Sequence, residues 1–226
     1  MVEAHQGDAE PIGAGPGQRP QPLAPAPDKG DEWLEGARVA TERVLRTVVE
    51  EFLQHPYLPR VEQSLHAWLF SLLIQQPELS AGVTLSTDEQ TRLVHKEWPE
   101  TIPGVEGGDD QGPRGLFDLA VLSPRQLASA TLDQFRAGRV EAPIVIEVGL
   151  GYGLSHLQRD RDELLHSRVH TPYVLHLSRL AMRDLDETES LLCHLSEPVR
   201  AAYVHHDPRN NARRYKHVAD GTVTDS

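Results

Sequence analysis

Two acidic residues stand inside segments that are otherwise aliphatic. Asp118 lies in residues 115–122 (GLFDLAVL), and Glu147 lies near the end of residues 143–148 (PIVIEV). If these strands are neighbours in a sheet, side-chain alternation allows both carboxylates to leave the same edge. Two adjacent carboxylates repel each other, and a divalent cation stabilises such a pair. The pattern therefore predicts an oxygen-ligand site for Mg²⁺ or Mn²⁺, which suits phosphoryl chemistry.

A structural role for the same two acids is the alternative. A charged group buried in a strand destabilises the fold unless it is paired. Backbone amides or an arginine would satisfy Asp118 and Glu147 without any metal. Their spacing alone leaves both interpretations open.

The periodicity of the surrounding chain indicates which elements position these acids. Apolar residues recur at helical spacing over residues 31–54 and 60–75, and again after Ser155 up to about residue 168. Extended patterns occupy residues 91–98, 115–122, 143–148 and 173–177, with a glycine-rich loop over 99–112 and a short helix over 126–135. This order of helices and strands predicts an α/β domain.

The order of the motifs resembles the PD-(D/E)XK, or restriction-endonuclease-like, phosphodiesterases. Glu62 in VEQSLHAWL is similar to the helix acid of that family, Asp118 in LFDLAV to the aspartate of its second strand, and Glu147 in IVIEVG to the glutamate of its third strand. The segment HLQRDRDELL is similar to the helix that follows, so the resemblance covers residues 59–180.

This resemblance implies an αβββαβ core with a mixed central sheet flanked by helices. It implies that Asp118, Glu147 and Glu62 hold Mg²⁺ or Mn²⁺. It further implies metal-dependent phosphodiester hydrolysis on DNA or RNA, a hydrolase activity.

One residue departs from the family pattern. The family lysine, which orients the attacking water and stabilises charge on the phosphate, would fall at position 149, where this chain has glycine. The candidate replacements are Lys96, His156, Gln158 and Arg159, and we place Lys96 and His156 in the catalytic set. Arginine stabilises phosphate charge but is a poor base at neutral pH.

Arg159 and Arg161 are the predicted nucleic-acid contacts, because the family analogy places their helix face beside the metal site. An exposed charged helix face is the ordinary interpretation of such a run.

Two further interpretations compete with an active nuclease. Gly149 and a formal net charge of −12 favour a degenerate nuclease fold that survives as a binding or scaffold module. An unrelated α/β protein with structural acids is the third. Nucleic acid is the predicted partner, and a second copy of the chain or another protein is left open.

Composition predicts the organisation of the chain. Residues 1–30 are rich in Pro, Gly and Ala and predict a disordered tail; residues 31–197 form the domain, and residues 198–226 form a basic C-terminal extension. Cys193 is the only cysteine, which excludes an internal disulfide and a cysteine zinc site. Because no leader or long apolar segment is evident, we expect a cytoplasmic protein without a membrane partner.

Overall fold

The computed structural model of the chain describes residues 32–100, 115–167 and 169–179, residues 187 and 191, and the backbone of three further strands between 200 and 225. The predicted tail over residues 1–30, Cys193 and most of the glycine-rich loop lie outside the described residues. The helices are α1 (Glu32–Gln54), α2 (Glu62–Leu73), α3 (Pro124–Ser129), α4 (Leu132–Arg136) and α5 (Leu154–His166). The strands are β1 (Gly82–Thr84), β2 (Gln90–Arg92), β3 (Val94–Pro99), β4 (Leu116–Val121), β5 (Ile144–Leu150), β6 (Thr171–Ser178), β7 (Arg200–Asp207), β8 (Ala212–Ala219) and β9 (Thr222–Asp225).

One mixed sheet organises the described fold, with its seven strands in the order β3-β4-β5-β6-β7-β8-β9. Strands β3, β4 and β5 form an antiparallel meander. After α5 the chain returns as β6, which pairs parallel with β5, and β7 pairs parallel with β6. Strands β8 and β9 continue antiparallel, while β1 and β2 form a separate two-stranded hairpin.

The central strands of the sheet are buried on both sides because helices cover both of its faces. Side chains of α1 and α2, such as Val48 and Leu69, pack against Ile146 of β5 and its neighbours on one face. Side chains of α3 and α5 pack with Val145 of β5 and Val174 of β6 on the other face. Alternation along β5 therefore places Glu147 and Gly149 with Val145, on the side of the sheet that α5 covers.

The α/β class is confirmed. The single short helix predicted over residues 126–135 is instead two helices, α3 and α4, because Thr131 caps the second one. The predicted strand over residues 91–98 is divided, because Thr91 pairs with Val83 in the hairpin whereas Val94 pairs with Val121 in the main sheet. Strand β5 extends to Leu150, beyond the predicted residues 143–148, so Gly149 belongs to it and pairs with His176.

The prediction of a basic C-terminal extension over residues 198–226 is wrong. The backbone of this segment contributes β7, β8 and β9 to the main sheet. The basic composition of this segment did not indicate strands. They form because β7 pairs with β6, and backbone pairing of this kind does not depend on charge. Among the described helices, none combines the length and apolar character required to cross a bilayer.

Candidate active site

Asp118 and Glu147 lie on neighbouring strands, as the sequence predicted. The paired register of β4 and β5 runs from Val121↔Ile144 to Leu119↔Ile146. Asp118 is one residue beyond the last of these pairs, and the backbone N–H of Val148 donates to Oδ2 of its side chain at 2.8 Å. Asp118 thus has the backbone-amide partner that a structural role required, and it also marks the point where the ladder between the two strands ends.

The charge of Asp118 opposes the ionisation of Glu147. Glu147 is 7% exposed. Its burial, followed by the charge of Asp118 and that of Asp160, raises the pKa of Glu147 well above its ordinary value, and a hydrogen bond with Asp118 contributes. Such a pair shares a proton or requires a cation when both members are ionised.

Helix α2 brings a third carboxylate and an imidazole to this pair. His66 Nε2 lies 3.7 Å from Glu62 Oε1 and 3.7 Å from Asp118 Oδ2. Glu62 and His66 lie on the same side of α2 because they are one helical turn apart. The apolar stripe of Leu65, Leu69 and Leu73 packs this helix onto the sheet. Two of their buried atoms, His66 Nε2 and Glu62 Oε2, have no hydrogen-bond partner among the described residues.

The turn after β5 and the first half of α5 supply the remaining polar groups. A hydrogen bond with Glu62 is the main reason that the pKa of Tyr152 is raised to about 12. The Tyr152 ring also stacks on His156, with 4.0 Å between the ring centroids. Tyr152 thereby connects the helix acid on α2 to the beginning of α5.

Asp160 is a site acid that the motif analysis did not select. Its Oδ2 lies 3.5 Å from His156 Nε2. Burial raises its pKa to about 6; His156 acts in the opposite direction, whereas the charges of Glu163 and Asp118 add to the rise. The signal was present in the sequence, because Asp160 interrupts the buried stripe formed by Leu157 and Leu164.

The predicted basic residues are distributed unequally around these acids. His156 is at the site through Asp160, and Arg159 is exposed beside it, near enough for its charge to lower the pKa of Asp160. Arg161 forms an ion pair with the exposed Asp162. Lys96 is exposed on β3, and among the described residues no hydrogen bond or ion pair joins it to the carboxylates.

The structure gives a steric reason for glycine at position 149. A Cβ added there would lie 2.9 Å from His176 Nδ1 and 3.4 Å from Tyr152 Cδ2. His176 is buried on β6 directly opposite Gly149 in the register. The imidazole therefore fills the space in which a longer side chain at position 149 would begin, and nothing in the motif analysis indicated this residue.

The donor set suits a hard cation, but the ligands are not assembled around one. Asp118 and Glu147 offer carboxylates on neighbouring strands whose charges oppose each other, and a divalent ion stabilises such a pair. Within the part of the chain that the structure describes, no group of three or more His, Cys, Asp or Glu side chains is arranged to hold a metal ion. The predicted Mg²⁺ or Mn²⁺ site consequently stays a prediction.

Comparison with known proteins adds no assignment: no protein-family model, curated protein or solved structure matches the chain. Functional inference therefore depends on the residues and their geometry.

Proposed function

We propose that the protein is a PD-(D/E)XK-like phosphodiesterase that hydrolyses DNA or RNA with a divalent metal ion. The observation that carries the proposal is the placement of Asp118 and Glu147 on paired strands, at the point where β4 and β5 part. His66 of α2 lies 3.7 Å from both Asp118 and Glu62 at this point. The path α2-β3-β4-β5-α5-β6, an antiparallel meander followed by a helix and a parallel strand, supports the proposal because it follows the implied αβββαβ order.

Asp118, Glu147 and Glu62 would hold the ion. When bound, a divalent ion polarises a phosphoryl oxygen and lowers the pKa of a coordinated water. The backbone N–H of Val148 donates to Oδ2 of Asp118 and so fixes the position of one oxygen of that carboxylate. Glu147, whose ionisation is disfavoured by burial and by Asp118, would become an anion when a cation neutralises its neighbour.

Position indicates which groups could take over the two roles of the family lysine. His176 occupies the space next to Gly149, while Lys96 on the edge strand is exposed and not in contact with the acids. His156 and Arg159 stand at the Asp160 side, where they partly offset the negative charge. His176 is thus the residue nearest to the missing lysine, and Arg159 is the exposed cation available to a phosphate.

A second candidate is a catalytically inactive nuclease-fold module that binds a partner. Gly149 favours it, since packing against His176 has removed the room for a lysine. The net charge of −12 also favours it, because bulk attraction to nucleic acid is absent.

Catalysis tests the two candidates. Purified full chain is incubated with plasmid DNA, single-stranded DNA and RNA in Mg²⁺ or Mn²⁺, with Glu147→Gln prepared in parallel. An active nuclease degrades a substrate in the metal only, and the variant loses at least about two orders of magnitude of rate, as expected when a metal ligand and its electrostatic stabilisation are removed. Equal degradation by both proteins would identify a contaminant and reject the activity.

Metal binding separates the inactive module from an unrelated fold. Mn²⁺ should raise the melting temperature of the wild-type chain and leave that of Asp118→Asn unchanged. Stabilisation without hydrolysis would support the inactive module, and absence of stabilisation at millimolar Mn²⁺ would reject the metal site.

A further inference from the structure

Helix α2 carries two buried polar atoms that have no hydrogen-bond partner within the part of the chain that the structure describes. The His66 side chain is 9% exposed, and its Nε2 has no hydrogen-bond partner among the described residues. Oε2 of Glu62, one helical turn earlier, is also buried and has no hydrogen-bond partner among the described residues. Buried polar atoms in native proteins are nearly always paired, so two such atoms side by side indicate a missing ligand.

The position of His66 Nε2 indicates the kind of ligand. It lies 3.7 Å from a carboxylate oxygen of Glu62 and 3.7 Å from one of Asp118. These separations exceed a hydrogen bond, so the imidazole points between two anionic oxygens without bonding either. If an ion lay about 2.1 Å from each of two atoms with this separation, the angle between them at the ion would be about 120°, which is within ordinary metal coordination.

We propose that His66 is a nitrogen ligand of the bound ion, and that the site consequently prefers a transition-metal ion such as Mn²⁺ over Mg²⁺. This inference rests on the proposed function, and it adds both a ligand and a selectivity to it. Imidazole nitrogen binds first-row transition ions, whereas Mg²⁺ takes oxygen ligands almost exclusively. A purely acidic site made of Glu62, Asp118 and Glu147 would not discriminate in this way.

The hydrogen bonds around Asp118 are consistent with an ion that binds next to α2. Asp118 Oδ2 already accepts a hydrogen bond from Val148 N–H, and Glu147 lies on the neighbouring strand. Because no three of these side chains are yet arranged around an ion, we expect Glu62, with its unpartnered Oε2, to adjust on binding.

Calorimetric titration of the full chain with Mn²⁺ and with Mg²⁺ tests the proposal. The variants are His66→Gln, His66→Asp and Glu147→Gln, and His166→Gln is the matched control, since His166 is exposed at the end of α5. We expect the wild type and the control to bind Mn²⁺ at least about tenfold more tightly than Mg²⁺. His66→Gln should lose about tenfold or more in Mn²⁺ affinity with little change for Mg²⁺, as for removal of a metal ligand or its close support. His66→Asp should reverse the preference toward Mg²⁺, a change that a merely structural histidine would not produce.

Pulsed electron paramagnetic resonance of the Mn²⁺-loaded wild type provides a readout that needs no variant to fold. We expect the electron spin echo of Mn²⁺ to be modulated by a directly bound nitrogen, and the absence of this modulation would overturn the proposal. Unchanged Mn²⁺ affinity in His66→Gln, together with its loss in Glu147→Gln, would reject His66 as a ligand and leave the proposed function intact. A wild type that binds neither ion would instead reject the proposed function.

Discussion

At the scale of single residues, Glu147 is held in conditions that oppose its charge. It is buried, and the charges of Asp118 and of Asp160 on α5 both oppose its ionisation. Each of these favours the protonated acid over the carboxylate. Without a cation, the ionised form of Glu147 therefore destabilises the folded chain relative to the unfolded one.

The stability of the metal-free protein should fall with pH in a way that depends on Glu147. Its folded-state pKa is raised, so its contribution to stability is complete below the ordinary glutamate range and is lost as pH rises through the raised pKa. Glu147→Gln removes this loss, and at pH 7 in a chelator it should be more stable than wild type by at least about 1 kcal/mol. Urea unfolding between pH 4 and pH 8 measures the difference.

Glu50→Gln is the control for that series, because Glu50 is exposed on α1. It should keep the wild-type dependence on pH. Parallel curves for wild type and Glu147→Gln would show that the carboxylate pair is already neutralised in the folded chain.

At the scale of elements, the pairing of β5 with β6 decides what can stand beside Glu147. The parallel register sets Gly149 opposite His176 and Glu147 opposite Val174. Residue 149 points to the same face as Glu147, which is why a lysine in a Glu-X-Lys motif can reach the site. Here the neighbouring strand supplies an imidazole to that space, and glycine is the residue that leaves room for it.

Gly149→Ala should therefore destabilise the fold, since its Cβ would approach His176 Nδ1 to 2.9 Å. We expect a loss of about 1–3 kcal/mol, the usual result of overpacking a core. Combining it with His176→Ala should destabilise by less than the sum of the two single changes, because the clash disappears with the imidazole. Chemical unfolding of the four proteins measures the coupling.

Gly153→Ala serves as the control, because a Cβ at that position meets nothing within 4 Å. It should change stability by less than about 0.5 kcal/mol, as ordinary surface substitutions do. Additive losses in the double variant would place the strain at position 149 somewhere other than His176.

At the scale of the whole molecule, the C-terminal strands complete the sheet that holds the site. Strand β6 is buried along its full length and pairs with β5 on one side and β7 on the other. Strands β7, β8 and β9 thereby keep a strongly apolar strand from becoming an edge. An exposed edge of that kind templates aggregation.

Ending the chain after residue 199 should consequently impair folding, although every proposed site residue is retained. We expect the shortened protein to lose its cooperative melting transition or to self-associate, whereas the full chain melts cooperatively. Circular dichroism with light scattering after size exclusion distinguishes these results. A shortened chain that is monomeric and melts like the full chain would show that β7, β8 and β9 are dispensable.

The sequence by itself determined the local elements and the positions of Glu62, Asp118 and Glu147 on them, because helical and strand periods are visible in the order of apolar residues. The family resemblance implied that the strands of Asp118 and Glu147 are neighbours, and the register shows that they are. Only the tertiary structure decided that His66, Tyr152 and Asp160 converge there, that His176 occupies the space beside Gly149, and that the basic C-terminal segment forms strands. The physical reason is that periodicity reports which face of its own element a residue occupies, whereas convergence depends on strand order and register, which are set when both faces of the sheet are buried together.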